Sequence, residues 1–166
     1  MHKLLTIVLL ACLTGCGPLT QTADSAQATS SAALLSDEEE ETMQILVRSE
    51  DYAVIYELDH SQAAQELYKQ LPLSLTVENF STNEKVFYPP QKLDTSDALP
   101  ADDAQGAGVL AYYAPWGDVV MFYDDFSSNS GLYALGEAVS GQESIAKLTG
   151  MITISAYEEA GDQLHD

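Results

Sequence analysis

Few side chains in this sequence combine the type and spacing that catalysis or metal binding demands. The three histidines, His2, His60 and His165, lie far apart. None has a second imidazole or a thiol close by in sequence, whereas a zinc-like ion needs several convergent ligands. With His2 in the leader and His165 in the terminal tail, His60 is the single candidate general base of its kind, which argues against a Ser, His and Asp catalytic set. No catalytic residue, metal-ligand set or cofactor is therefore assigned. Carboxylates are more plentiful. Asp94, Asp97, Asp102 and Asp103 fall in one loop, and hard cations want clustered oxygens, so a calcium-stabilised surface protein is one reading, although no ligand spacing repeats there. Asp125, Ser127 and Asn129 match the first, third and fifth positions of a helix-loop-helix calcium loop, but Gly131 and Glu137 each come one residue late. Solvated loops are the plainer account of both.

The remaining reactive side chains are two thiols, Cys12 and Cys16, and both sit near the start. His2 and Lys3 precede the apolar run LLTIVLLACL, which meets Thr14, Gly15 and Cys16. A positive start, a short apolar stretch and small residues before a break mark an export signal, and the run is too short to span a membrane. Leu13-Thr14-Gly15-Cys16 resembles the lipobox of bacterial lipoproteins. In that motif the cysteine thiol is alkylated by diacylglycerol and becomes the first residue of the mature chain. Leu9-Leu10-Ala11-Cys12 fits more loosely, with a shorter apolar core. Ordinary secretion with cleavage nearby is the plain alternative. The resemblance implies a signal peptide over residues 1–15 and a lipid anchor on Cys16. The mature protein would then sit on a bacterial cell membrane or outer membrane, facing away from the cytoplasm. No cysteine follows Cys16, so the exported domain must be held by core packing, without a disulfide.

Residues 16–42 read as a flexible acidic tether. Gly17 to Leu35 is rich in Ser, Thr, Ala and Gln and buries too little to offset the entropy of ordering. Five consecutive acidic residues, Asp37 to Glu41, follow as a solvated collar. The folded part is expected over 43–158, with a polar tail over 159–166. It opens with a hairpin, Met43 to Arg48 and Tyr52 to Leu58, whose alternation puts Met43, Ile45 and Val47 on one face. Asp59 is placed as the N-cap of a helix with Gln62 as its reciprocal partner and His60 in the first turn. Ala63, Ala64, Leu67, Tyr68 and Leu71 form its apolar face, and Pro72 ends it. Strands follow over Leu73 to Val77 and Glu84 to Tyr88, separated by a polar turn region over Asn79 to Asn83. The connection from Gln91 to Gly108 is too long for an ordinary loop and should cross one end of a barrel.

Next comes GVLAYYAPWGDVVMFYDDF, Gly108 to Phe126, two apolar runs flanking Ala114-Pro115-Trp116-Gly117. This reads as a hairpin with the single tryptophan at its tip. It holds six of the fourteen aromatic residues, counted from nine Tyr, four Phe and one Trp. Leu132 to Val139 forms another strand. Gln142 to Leu148 is a short helix begun by Ser140 or Gly141, and Met151 to Tyr157 is the last strand. The order is β-β-α-β-β-β-β-β-α-β, mainly β with two short helices. Charge narrows the partners. Six Lys and Arg stand against twenty-six Asp and Glu, a net of −20, and such a field repels phosphate backbones, which excludes nucleic acid. Tyr112, Tyr113, Pro115, Trp116, Phe122, Phe126 and Tyr133 are the candidate ligand-binding residues, for an extended or proline-containing peptide. Alternation along the strands turns about half of these rings into the core.

LPLSLTVENF leading to NEKVFYPPQKL, and above all APWGDVVMFYDDF followed by GLYALGEAVSG, resemble the bacterial cyclophilin-like domains. The resemblance covers Met43 to Glu158 and implies a small closed β-barrel capped by helices. To the true cyclophilins, the prolyl isomerases, the likeness lies in Leu135 to Val139 entering QESIAKL and in the apolar strand VVMFY. Those enzymes use an arginine that holds the carbonyl before proline and reaches the proline nitrogen, a task suited to a fixed fork of donors that stays charged. Here Arg48 is the only arginine and ends the first strand, while Lys85 is the only cation in the strand where the family's arginine falls. The resemblance thus implies a ligand-binding module without catalysis, with a weak peptidyl-prolyl isomerase as the alternative.

Overall fold

Strands that turn every second residue inward can roll up until the last pairs with the first, and eight strands do so in the computed structural model of this protein, which describes residues 42–158. The expected signal sequence over 1–15, Cys16, His2, the expected tether up to residue 41, and residues 159–166 with His165 lie outside the described residues. The strands are β1 (Gln44–Arg48), β2 (Ala53–Leu58), β3 (Leu73–Phe80), β4 (Glu84–Phe87), β5 (Val109–Tyr113), β6 (Asp118–Phe122), β7 (Leu132–Ser140) and β8 (Gly150–Tyr157). Helix α1 spans Gln62–Lys69. Around the barrel the order is β1-β2-β7-β5-β6-β4-β3-β8, closed by antiparallel pairing of β8 with β1. The expected succession of strands and helices is the observed one, with a 3₁₀ turn, Asp103–Gln105, added in the long loop.

The inward faces make the main core. Ile45 and Val47, Val54 and Tyr56, Leu110 and Tyr112, Val119 and Met121, and Ile152 and Ile154 recur at the period of two that a strand requires. Ala63, Ala64 and Leu67 of α1 pack onto this core, as do Ile145 of the second helix and Leu148 just after it. α1 departs from the Leu58 end of β2, whereas the second helix enters beside its Ala53 end, where a Cβ on Gly141 would run into the Ala53 carbonyl. The two helices therefore serve opposite mouths.

Local details differ from the sequence reading in informative ways. The N-cap of α1 is Ser61, whose hydroxyl accepts from the Ala64 amide at 3.2 Å. Asp59 instead accepts from the Ser61 amide at 2.9 Å and the Ser61 hydroxyl at 2.6 Å, so the two residues form one relay and His60 lies before the helix, exposed. The second helix is 3₁₀, Gln142–Lys147; Gly141 starts it in the left-handed region with no side-chain cap. β3 continues to Phe80 where a polar turn was expected, because its last residues Glu78 to Phe80 pair with Val86 to Glu84.

Candidate ligand groove

β5 and β6 are buried at nearly every position, so both of their faces are covered. On the outer face Val86, Val109, Ala111, Val120, Phe122 and Leu132 form a second apolar cluster, outside the barrel. The connection from Gln91 to Gly108 reaches it after crossing the barrel end. Leu93 is buried and donates its amide to the Tyr112 hydroxyl at 3.3 Å. Further on the Ala101 amide donates to Leu132 O and the Ala134 amide to Leu99 O, fastening the loop along β7. Between this padding and the strand β3–β4 turn a groove remains.

Its shape is set by the hairpin tip. The Gly117 amide donates to Tyr113 O at 2.8 Å, and Gly117 adopts φ +77. That conformation suits glycine, and it lets the chain turn within four residues and bring Asp118 opposite Tyr113. Pro115 lies over Gly131, where a Cβ would come within 2.9 Å of the ring. Trp116 is thereby directed across the outer wall. Its ring meets Tyr113 edge-on at 5.3 Å and Phe80 edge-on at 5.3 Å, yet it stays 55% exposed. At the other side Phe122 and Phe126 stack at 3.9 Å. The groove encloses about 240 Å³, with Asp118 and Glu84 among its lining residues and Val120 and Leu132 on its apolar wall.

Asp118 is the unusual member. It is 3% exposed, and its Oδ1 has no hydrogen-bond partner among the described residues. Burial raises its pKa above the ordinary carboxylate value, opposed only by its own backbone amide. Glu84 is raised as well, first by burial and then by the charge of Asp118. Two acids that are hard to ionise thus share one cleft.

Of the residues singled out in the sequence, Tyr113, Trp116, Phe122 and Phe126 line this groove. Tyr112 does not: it points into the barrel, is 1% exposed, and belongs to the core. Pro115 is exposed at the tip, and Tyr133 pairs with Tyr112 across β5 and β7 and bridges Pro100; neither lines the groove. Phe80, Glu84 and Asp118 were missed. Phe80 lies out of step with the inward series Leu73, Leu75 and Val77, and Asp118 is an acid opening the apolar run DVVMF; both irregularities were visible signals. Lys85 stands opposite Met121 of the main core and is 6% exposed, so it faces inward. Arg48 lies in a separate depression with Gly150 and Met151. Neither cation is among the groove's lining residues.

The four loop aspartates are occupied by backbone amides. Asp94 accepts from Ser96, Asp97 from Gln62, Asp102 from Ala104 and Asp103 from Ser128. Among the described residues no three or more His, Cys, Asp or Glu side chains converge in a way that could hold a metal ion.

Residues 47–156 match the model of the Cyclophilin-like family. The chain belongs to that family. Among solved structures, this cyclophilin-like domain is similar to the solution structure of the hypothetical protein AF2241 from Archaeoglobus fulgidus, with a TM-score of 0.56 at 16% identity over 70% of this chain and 95% of that one. That likeness is one of fold. No curated protein matches the chain.

Proposed function

We propose that this protein is a lipid-anchored component of a bacterial cell envelope, whose cyclophilin-like barrel binds a ligand in the outer-wall groove without transforming it. The observation that carries the reading is Asp118: a carboxylate almost wholly buried, with an unpartnered oxygen, beside a groove rimmed by the half-exposed Trp116. A buried polar group left without a partner destabilises a fold by about 1–3 kcal/mol and calls for an explanation in a native structure; a bound ligand supplies one here. The volume of about 240 Å³ is below the ~300–1,000 Å³ of drug-sized sites, so it suits a side chain of an extended peptide or a comparably small molecule. The signal pattern ending in Cys16 supports the anchored placement.

Two measurements test this. Trp116 is the only tryptophan, so its fluorescence reports on the groove directly; a saturable change on adding short peptides is expected, with no acceleration of prolyl isomerisation in the same sample. Catalysis that disappears on replacing Lys85 or Arg48 would replace this reading with the isomerase one.

A further inference from the structure

We infer that the groove takes an organic cation, the guanidinium or primary ammonium at the end of an apolar stem, as carried by an arginine or lysine side chain of a peptide. This rests on the groove being a binding site and names its ligand class. Three independent features converge. First, the buried Asp118 carboxylate has an oxygen without a partner and faces a groove that also contains Glu84, whose pKa responds to it. A cation lodged there would pair with the Asp118 carboxylate on the groove wall and relieve the repulsion between the two acids.

Second, the rim is aromatic. Tyr113 and Phe80 each meet the Trp116 ring edge-on at 5.3 Å, and tryptophan is the ring that best attracts a cation. The chain already makes one such contact elsewhere, Lys147 over the Tyr52 ring at 5.4 Å. Third, charge complementarity selects the ligand's sign. Among the described residues no lysine, arginine or histidine lines the groove, and the chain carries a net of −20, which raises the local concentration of cations and speeds their approach. The groups facing Asp118 are Glu84 and Tyr88 from the β4 side, whose pKa values it helps to raise, with Tyr113 across the hairpin. The stem of Lys92 lies by Gly117 and the Tyr112 hydroxyl; Lys92 is exposed and is not among the groove's lining residues. An organic cation fits better than a metal ion, because the two acids lack a third ligand among the described residues and the rest of the wall is apolar. Val120, Phe122 and Leu132 would hold the methylene stem.

The test uses the full-length protein in mild detergent, with calorimetry beside Trp116 fluorescence. The probes are N-acetyl-Gly-Arg-Gly-amide, its Lys analogue, the neutral citrulline analogue of the same shape, and agmatine as a free amine. The Arg and Lys peptides should bind saturably, the citrulline peptide at least about tenfold more weakly. Asp118→Asn and, separately, Glu84→Gln should each weaken the charged peptides by about tenfold or more while leaving the citrulline peptide unchanged. Two variants are needed in case one fails to fold. Agmatine binding as tightly as the peptides supports the same cation site with a free amine as the source; binding by the peptides alone assigns it to a side chain. Equal binding of the citrulline and Arg peptides overturns the cation inference and leaves a neutral-ligand groove standing. Absence of binding by every probe, in a protein whose circular dichroism shows it folded, overturns both.

Discussion

Asp118 is a nearly fully buried carboxylate on the wall of the groove, and its burial has a consequence for stability. Its carboxyl is protonated more readily in the folded chain than in the unfolded one, because burial raises its pKa. Between the ordinary value of about 3.9 and that raised value the native state binds the extra proton, so stability falls as pH rises across the window. Below the window the penalty is absent; above it the full penalty applies. Glu84 adds the same sign. Asp118→Asn should accordingly raise the thermal midpoint near neutrality by about 2–6 °C while losing cation binding. A midpoint difference between variant and parent that does not grow with pH through this range would contradict the account. Tyr56 offers a control without a site. Its hydroxyl is fully buried in the core with no partner among the described residues, and its pKa is strongly raised by burial. Tyr56→Phe should leave ligand binding untouched and stabilise the fold by about 1 kcal/mol in denaturant titration.

At the scale of elements, helix α1 and strand β7 make the sharpest predictions. Ser61→Ala removes the N-cap bond to Ala64 and should lower unfolding free energy by about 1 kcal/mol. Gly136→Ala should be far worse, about 3 kcal/mol or more, because a Cβ there would collide with the Glu57 carbonyl where β7 pairs with β2; ordinary stability of that variant in urea would refute the packing described. The hairpin of β5 and β6 was legible because Gly117 and the flanking apolar runs are local signals. The sidedness of its aromatics was not. Tyr112 and Tyr113 are neighbours of the same type, and only the register of the closed barrel decides which one enters the core. Asp59 and Ser61 are both good caps by residue type, and the sequence does not separate them; in the fold it is the Ser61 hydroxyl that reaches the Ala64 amide. The groove was half legible: its hairpin rings could be read from composition, whereas Phe80 and Glu84 come from a strand pair that reaches it only through the β4–β6 and β3–β4 ladders.

The chain is strongly acidic, with a net of −20, and its barrel carries the proposed groove on its outer wall. Charge on this scale makes any cation association sensitive to ionic strength, since exposed charges are screened over about 8 Å at physiological salt. Affinity for the Arg peptide should fall between low and high salt, chiefly through a slower on-rate in stopped-flow fluorescence. A second prediction concerns the N-terminus. Expressed in a bacterial host, the parent should incorporate labelled fatty acid and partition into detergent, and Cys16→Ser should do neither; labelling that persists in this variant and vanishes in Cys12→Ser would move the anchor. One further consequence comes from closure of the sheet. Every strand is hydrogen-bonded on both sides, so the barrel presents no row of free backbone amides and carbonyls to a neighbour. Copies crowded together on one surface therefore have no edge by which to zip into fibres, and an extended peptide cannot be captured by adding a ninth strand. Recognition is left to side chains, and the molecule tolerates high local density without losing its individuality.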